Sequence, residues 1–311
     1  MTCPTFICIG AIKSGTTWLH YNLQQHPGVW LPPVKELRYF NEPEYNLTGR
    51  LFGKDKKRYE YWRIQVRNFL HHKRAWLRPG YFRWHLNYFL RPRSAQWYES
   101  LFALGKDRVT GDVTPLYAPI DEGQIAAIQR DFPDLKIIYI LRNPIDRTWS
   151  HILLRCISLV DWQPENLTEE LVRKTVFDRD LNDQWLFSNG YYTKTLNRWE
   201  KYFPPEQMFV GFYDDLKQNP QQFLEAICEF LQVKGSLDKQ INLETRYNQK
   251  PIQLAIPPDI EAIFSDIYLE ELQLLAERFG GVTSDWLDRA QLVLENASPE
   301  IAIRDDTRSA S

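Results

Sequence analysis

Apolar residues recur along this chain at two spacings, and the switches between them mark out its elements. Thr5 to Gly10 is a short apolar, β-prone run that ends in glycine and predicts a buried strand. Small residues from Ala11 to Thr16 form a loop. Trp18, Leu19, Tyr21 and Leu23 then follow helical spacing over Thr17 to Gln25, until Pro27 and Gly28 stop the helix. Arg108 to Asp112 reads as a weaker strand and Lys136 to Leu141 as a strong buried one. The second is preceded by a helical stretch, Asp121 to Asp131, and followed by another from Pro144. Gln207 to Tyr213 predicts a fourth strand after a helix over Tyr191 to Phe203. Pro220 to Gln232 is amphipathic, with Phe223, Ala226, Ile227, Phe230 and Leu231 on one face. Strands alternating with helices imply an α/β fold with a central, mostly parallel sheet flanked by helices.

One stretch breaks this rhythm. Arg50 to Arg93 is crowded with Lys and Arg, holds only Asp55 and Glu60 against them, and is interleaved with aromatic residues. It reads as a basic aromatic insertion, within about residues 43–107, in a single domain spanning 1–295; a polar tail, 296–311, follows. The insertion either lines a cleft for an anionic substrate or is a solvated helix face. The whole chain is nevertheless near neutral, with 38 Lys+Arg against 40 Asp+Glu, so no overall polycation draws it to nucleic acid. Its 311 residues are 43% hydrophobic, enough for a sizeable core and against disorder. Cys3, Cys8, Cys156 and Cys228 are scattered without metal-ligand spacing, which disfavours zinc and suits reduced thiols. No apolar run approaches the ~18 residues of a membrane span. The start also lacks the basic region of a signal peptide. The expectation is a soluble, cytoplasmic protein with no membrane or nucleic-acid partner.

The chemistry concentrates in the first loop. Gly10-Ala11-Ile12-Lys13-Ser14-Gly15-Thr16-Thr17 follows a strand and opens a helix, so backbone N–H groups can converge on an anion at the positive helix end. A nucleotide-binding P-loop places lysine directly after its second glycine. Here Thr16 holds that position and the lysine stands three residues earlier, as Lys13, beside the leaving oxygen of a shorter donor.

Lys13-Ser14-Gly15-Thr16-Thr17-Trp18-Leu19 closely resembles the 5′-phosphosulfate loop of sulfotransferases that use 3′-phosphoadenosine 5′-phosphosulfate (PAPS). Leu141-Arg142-Asn143-Pro144-Ile145-Asp146-Arg147-Thr148-Trp149-Ser150 resembles the same family's 3′-phosphate element. In it Arg142 suits bidentate contact with a phosphate and Ser150 can donate a hydroxyl. Asp146 and Arg147 read as braces, and Ile152 departs from the family's tyrosine. Val34-Lys35-Glu36-Leu37-Arg38-Tyr39-Phe40 resembles the K-E-x-x-[FY]-F element of heparan-type and bacterial members. There the glutamate is the proposed general base, competent if burial raises its pKa; the bland reading is a surface Lys35–Glu36 pair. His151 and His20 are alternative bases. Gly111 to Tyr117, Gly190 to Trp199 and Phe212 to Leu231 continue the likeness, and Arg246 to Pro251 matches loosely a donor-covering loop, with Asn248 and Lys250.

The resemblance implies a P-loop-NTPase-like three-layer sandwich and transfer of a sulfuryl group from PAPS to a hydroxyl or amine, releasing PAP, without a metal. Lys13 would offset charge on the leaving oxygen, and Ser14, Gly15, Thr16 and Thr17 would hold the 5′ end. Trp18 would pack against adenine or sit in the core. The acceptor would be a small molecule, carrier-bound or a glycan, with homodimerisation open. Two other readings compete. A P-loop kinase needs lysine at position 16 and a magnesium-binding Asp; a non-catalytic anion-binding module would use the basic segment.

Overall fold

A computed structural model describes residues 3–41, 80–160, 163–234, 243 and 254–297. The sequence elements return with small shifts at their ends. Strand β1 (Phe6–Gly10) leads through the loop into helix α1 (Thr16–Gln25). A two-residue strand, β2 (Val29–Trp30), follows, which the pattern did not show because it is too short for any period. Helices α2 (Tyr81–Leu90) and α3 (Ala95–Ser100) belong to the basic aromatic stretch. Next come β3 (Val109–Val113), α4 (Glu122–Asp131), β4 (Lys136–Leu141) and α5 (Pro144–Leu159). After α6 (Glu169–Asp178), α7 (Gln184–Ser188) and α8 (Tyr192–Glu200) comes β5 (Met208–Phe212). The described chain closes with α9 (Tyr213–Gln218), α10 (Pro220–Phe230), α11 (Pro258–Phe279) and α12 (Val282–Asn296).

The sheet runs β2-β3-β1-β4-β5 and every pairing is parallel. Strand β1 lies at its centre, between β3 and β4. After β3 the chain therefore crosses over β1, and the carboxyl ends of β1, β3 and β4 flank the crevice where open α/β sheets bind ligands.

Period-2 alternation sends the strands' side chains into two cores. Ile7, Ile9, Ile137, Tyr139 and Leu141 face one side and pack with Ile145, Trp149 and Ile152 of α5, Trp199 of α8 and Phe264 of α11. Phe6, Cys8, Ile138 and Ile140 face the other, against Trp18 and Leu19 of α1 and Phe223 and Ile227 of α10. Helices thus cover both faces in three layers. Ile152, where the family pattern has tyrosine, is fully buried.

The described end of the basic stretch is structural. Trp84, Tyr88 and Phe89 of α2 and Trp97 and Tyr98 of α3 enter the first core, while Arg83 and Arg91 lie exposed. Residues 42–79, and with them most of the basic run, lie outside the described residues. No helix among the described residues is long and apolar enough to cross a membrane. The four cysteines are free.

Candidate active site

The loop after β1 is shaped by its glycines. Where Gly10 meets Tyr139, the ladder between β1 and β4 shifts register, bending the strand out of the sheet. Gly15 precedes α1 with φ 86°, and a Cβ there would lie 2.9 Å from Leu216 Cδ1 and 3.2 Å from Tyr213 Cδ2. A side chain would be both strained and obstructed. Lys13 also takes a positive φ, 72°. The first helical bond runs from Leu19 N–H to Gly15 O at 3.0 Å, so the amides of the first turn point out of the helix toward the loop.

Two cations meet at this loop. Arg142, at the end of β4, donates from Nη1 to the Lys13 carbonyl at 3.0 Å. Its guanidinium lies over the Tyr213 ring, 4.8 Å from the centroid. Its own carbonyl accepts the Tyr192 hydroxyl at 2.7 Å, which fixes the strand end. Burial, with the Arg142 charge second, holds the Lys13 ammonium below the usual lysine range. No carboxylate pairs with either cation among the described residues. The Ser14 hydroxyl, fully buried beside them, has no hydrogen-bond partner. Buried polar groups are almost always satisfied, so this hydroxyl is unfinished without a ligand.

Downstream, Asn143 Oδ1 caps α5 by accepting the Ile145 N–H at 3.0 Å, and Pro144 takes the first helical position. Ser150 is half-buried, two turns on, and its hydroxyl makes no hydrogen bond to a described residue. Asp146 and Arg147 bond to other elements of the fold. Asp146 accepts Arg289 Nη1 at 3.0 Å, and the fully buried Arg147 donates to Thr148 Oγ1 and the Leu186 carbonyl. Trp18 is buried in the second core, its ring 6.4 Å from Phe223 and its N–H on the Leu243 carbonyl at 2.9 Å. Asn248 and Lys250 lie outside the described residues.

Glu36 sits in a turn that is held tightly. Glu36 and Arg38 both have left-handed backbones, φ 62° and 55°. The fully buried Asp112 of β3 accepts the Leu37 N–H at 3.4 Å, Thr114 Oγ1 at 2.7 Å, the Tyr117 hydroxyl at 2.7 Å and the Tyr98 hydroxyl at 3.2 Å. Tyr117 in turn accepts the Tyr39 N–H at 2.9 Å. Arg93 donates to the carbonyls of both Leu37 and Arg38 at 3.0 Å. Tyr39 stacks on Tyr98 with centroids 4.5 Å apart. These bonds account for two non-glycine residues at strained φ.

Burial alone does not set the state of the Glu36 carboxylate. Burial does push its pKa up, but the charges and hydrogen bonds of Lys35 and Arg38 outweigh burial and hold it below the ordinary glutamate value. Lys35 Nζ is 2.8 Å from Oε1 and Arg38 Nη2 is 3.0 Å from Oε2. The Lys35–Glu36 pair of the bland reading therefore exists, with an arginine added, and only 24% of the Glu36 side chain is exposed. Lys35 was named in the sequence as a partner of Glu36, whereas Arg38, two residues on in the same motif, was quoted without a role. Arg93 and Asp112, distant in sequence, carried no local signal.

Both histidines are buried and neutral. Burial first, then the charges of Arg147, Arg155 and Lys13, press His151 down to about 3. Burial and the Lys35 charge bring His20 to about 3, against the opposing pull of Glu36. Lys13 and His151 thus share one field, and Glu36, Lys35 and His20 another. No metal-ligating cluster occurs among the described residues.

A parallel sheet with an anion-receptive loop between its first strand and first helix defines the class of P-loop-type α/β folds. Within that class the chain belongs to the sulfotransferase family, whose model matches residues 4–236. It is similar to human bifunctional heparan sulfate N-deacetylase/N-sulfotransferase 2, at 25% identity over 255 residues, covering 76% of this chain and 22% of that protein. It also resembles the membrane-associated sulfotransferase kil1 of Dictyostelium discoideum, at 26% identity over 147 residues and 47% of this chain. The chain thus spans about a fifth of the length of the curated relatives it matches. Among solved structures, the sulfotransferase from Alicyclobacillus acidocaldarius shares the fold with TM-score 0.63 and 20% identity, over 92% of this chain and 99% of that one.

Proposed function

We propose that this protein transfers a sulfuryl group from PAPS to a hydroxyl or amine of a small-molecule, carrier-bound or glycan acceptor and releases PAP. The observation that carries the reading is that Lys13 and Arg142 meet at this loop with no counter-charge among the described residues, next to a buried Ser14 hydroxyl that no described residue satisfies. A donor with anionic groups at both ends supplies what that cradle lacks, together with an activated sulfuryl group.

The residues take distinct roles in this proposal. Ser14, Gly15, Thr16 and Thr17 bind the 5′ end through hydroxyls and helix-end amides. Arg142 and Ser150 bind the 3′-phosphate. As the acceptor oxygen or nitrogen bonds to sulfur, the bond from sulfur to the 5′-phosphate oxygen breaks. Lys13 offsets the negative charge left on that oxygen. Glu36 receives the acceptor's proton. Positioning and charge compensation supply most of the acceleration, as in phosphoryl transfer.

Calorimetric titration with PAP and ATP tests the donor. Micromolar binding of PAP, with ATP at least tenfold weaker, supports the reading; no binding of PAP at about millimolar concentration, roughly the −4 kcal/mol level, sinks it. A P-loop kinase would show the reverse preference.

A further inference from the structure

Two carboxylates lie near the cation assigned to the donor's 3′-phosphate. Arg142 stands at the end of β4, and Asp146 follows it by four residues, in the first turn of α5. Asp214 lies in α9, next to the Tyr213 ring that sits under the Arg142 guanidinium. The charges of Asp146 and Arg142 both act on Asp214, so the three groups are neighbours. A carboxylate within reach of Arg142 competes directly with a phosphate, because a guanidinium fork donates equally well to either oxyanion.

The residue that holds Asp146 comes from the far end of the chain. Arg289 of α12 donates from Nη1 to Asp146 Oδ1 at 3.0 Å. It is aimed there by Glu261 of α11, whose Oε1 accepts Nε at 2.9 Å and Nη2 at 2.6 Å. Asp146 has no other ion pair among the described residues. Trp286, three residues before Arg289 and on the same face of α12, meets Phe212 edge-on with ring centroids 5.9 Å apart. That contact sets α12 against the end of β5, beside Tyr213. The hairpin of α11 and α12 lies beyond residue 236, where the family match ends.

This ion pair is poorly placed to add stability. The Arg289 side chain is 41% exposed and that of Asp146 34%, and pairs so open to water contribute little. The hairpin has firmer anchors. The Tyr268 hydroxyl of α11 lies 2.8 Å from Thr148 Oγ1 of α5, and Arg173 of α6 forks onto both oxygens of Asp259 at 2.6 and 2.9 Å. What the pair changes is the local charge. With Arg289 in place Asp146 is satisfied, and Arg142 keeps its guanidinium for a ligand.

We propose that Arg289 is a positioning residue for the donor's 3′-phosphate: by holding the Asp146 carboxylate it keeps that group off Arg142 and leaves the guanidinium open to the phosphate. Without Arg289, Asp146 is left to pair with Arg142 and competes with the ligand. The inference rests on the sulfotransferase reading in taking Arg142 as the 3′-phosphate contact.

Calorimetric titration with PAP and with adenosine 5′-monophosphate, which lacks the 3′-phosphate, tests the role. Wild type prefers PAP. Arg289→Gln loses about tenfold in PAP affinity, the scale of one charge-assisted hydrogen bond, and keeps its affinity for the monophosphate. Asp146→Asn binds PAP as wild type does. The double variant, Arg289→Gln with Asp146→Asn, recovers that affinity, a rescue that a loosened hairpin would not show. The inference is overturned if Arg289→Gln leaves PAP affinity unchanged, if it weakens both nucleotides equally, or if the double variant stays weak. A wild type that binds the two nucleotides alike, or neither, overturns the donor reading first and this inference with it.

Discussion

The loop from Gly10 to Thr17 and the turn from Val34 to Phe40 both carry cations at the mouth of the sheet, yet they are finished to different degrees. In the first, among the described residues, Lys13 and Arg142 have no carboxylate and the Ser14 hydroxyl has no partner. In the second, Lys35 and Arg38 close on Glu36 and four donors converge on Asp112. One region holds its cations with no carboxylate among the described residues, and the other holds its carboxylate between two cations. In the proposed reaction the first arrangement would supply affinity for a charged donor, and the second would hold the carboxylate ionised.

The largest effect separating the two regions is expected at Lys13. Lys13→Ala should slow PAP formation from PAPS by about 10²–10³-fold, the range for losing one group that stabilises developing charge. It should cost no stability, because the ammonium is buried with no anionic partner among the described residues. The pH sense follows from its depressed pKa. Between that depressed value and the ordinary lysine value the unfolded chain binds the extra proton, so stability rises with pH across this window. Donor binding reverses the depression. PAP should therefore bind with proton uptake and lose affinity as pH climbs through the free protein's Lys13 pKa. Calorimetry in buffers of different ionisation enthalpy measures that uptake. Lowered stability in Lys13→Ala would place a hidden anion beside the lysine and undo the contrast.

A comparable loss is expected at Glu36, with a different signature. Glu36→Gln should reduce turnover by about 10²-fold or more, the contribution of a positioned base. PAP affinity should hold, since the donor cradle is elsewhere. His151→Gln should do much less. With both histidines held near 3, neither titrates around neutrality, so the rate profile should show no inflection near the free histidine value of 6.5. Such an inflection, abolished in His151→Gln, would transfer the base to His151.

Next comes the framework under the turn. Asp112→Ala leaves the Tyr98, Tyr117 and Thr114 hydroxyls facing a cavity and should cost about 2–4 kcal/mol in denaturant unfolding. Asp112→Asn should cost less than half of that, because burial already raises the Asp112 pKa and a neutral group suits the site better than its charge suggests. An equal loss from both substitutions would mean the negative charge, rather than its acceptor oxygens, holds the turn.

How legible each region was in the sequence follows from the range of its interactions. The cradle is built from consecutive residues and one strand end, so Gly10 to Thr17 and Arg142 to Ser150 announced it by local pattern. The β-prone runs of β1, β4 and β5 were visible because apolar burial on both faces leaves a continuous signature. By contrast, the two residues of β2 are held only by pairing with β3. The Glu36 turn draws Arg93 from 55 residues beyond Arg38, and Asp112 from 75 residues beyond Leu37. No local spacing encodes such contacts. For the same reason the Glu36 pKa could be stated from sequence only as a condition on burial. Its sign depends on where two flexible cations point, which sequence proximity permits and does not fix.

The smallest expected effect concerns how the cradle holds its second cation without a carboxylate. Tyr213 lies under the Arg142 guanidinium, at 4.8 Å, and also walls the space that a Gly15 Cβ would need. The ring's negative face attracts the cation while leaving its charge and outward N–H groups for a ligand, which a carboxylate in the same place would consume. Tyr213→Leu keeps an apolar wall but removes the quadrupole, and should weaken PAP binding by about threefold, worth roughly 0.5–1 kcal/mol. Tyr213→Phe should bind PAP as wild type does, because the phenolic oxygen plays no part in this contact. Equal losses in the two variants would assign the role to the hydroxyl. A gain in Tyr213→Leu would show that the stacked ring holds Arg142 away from the phosphate.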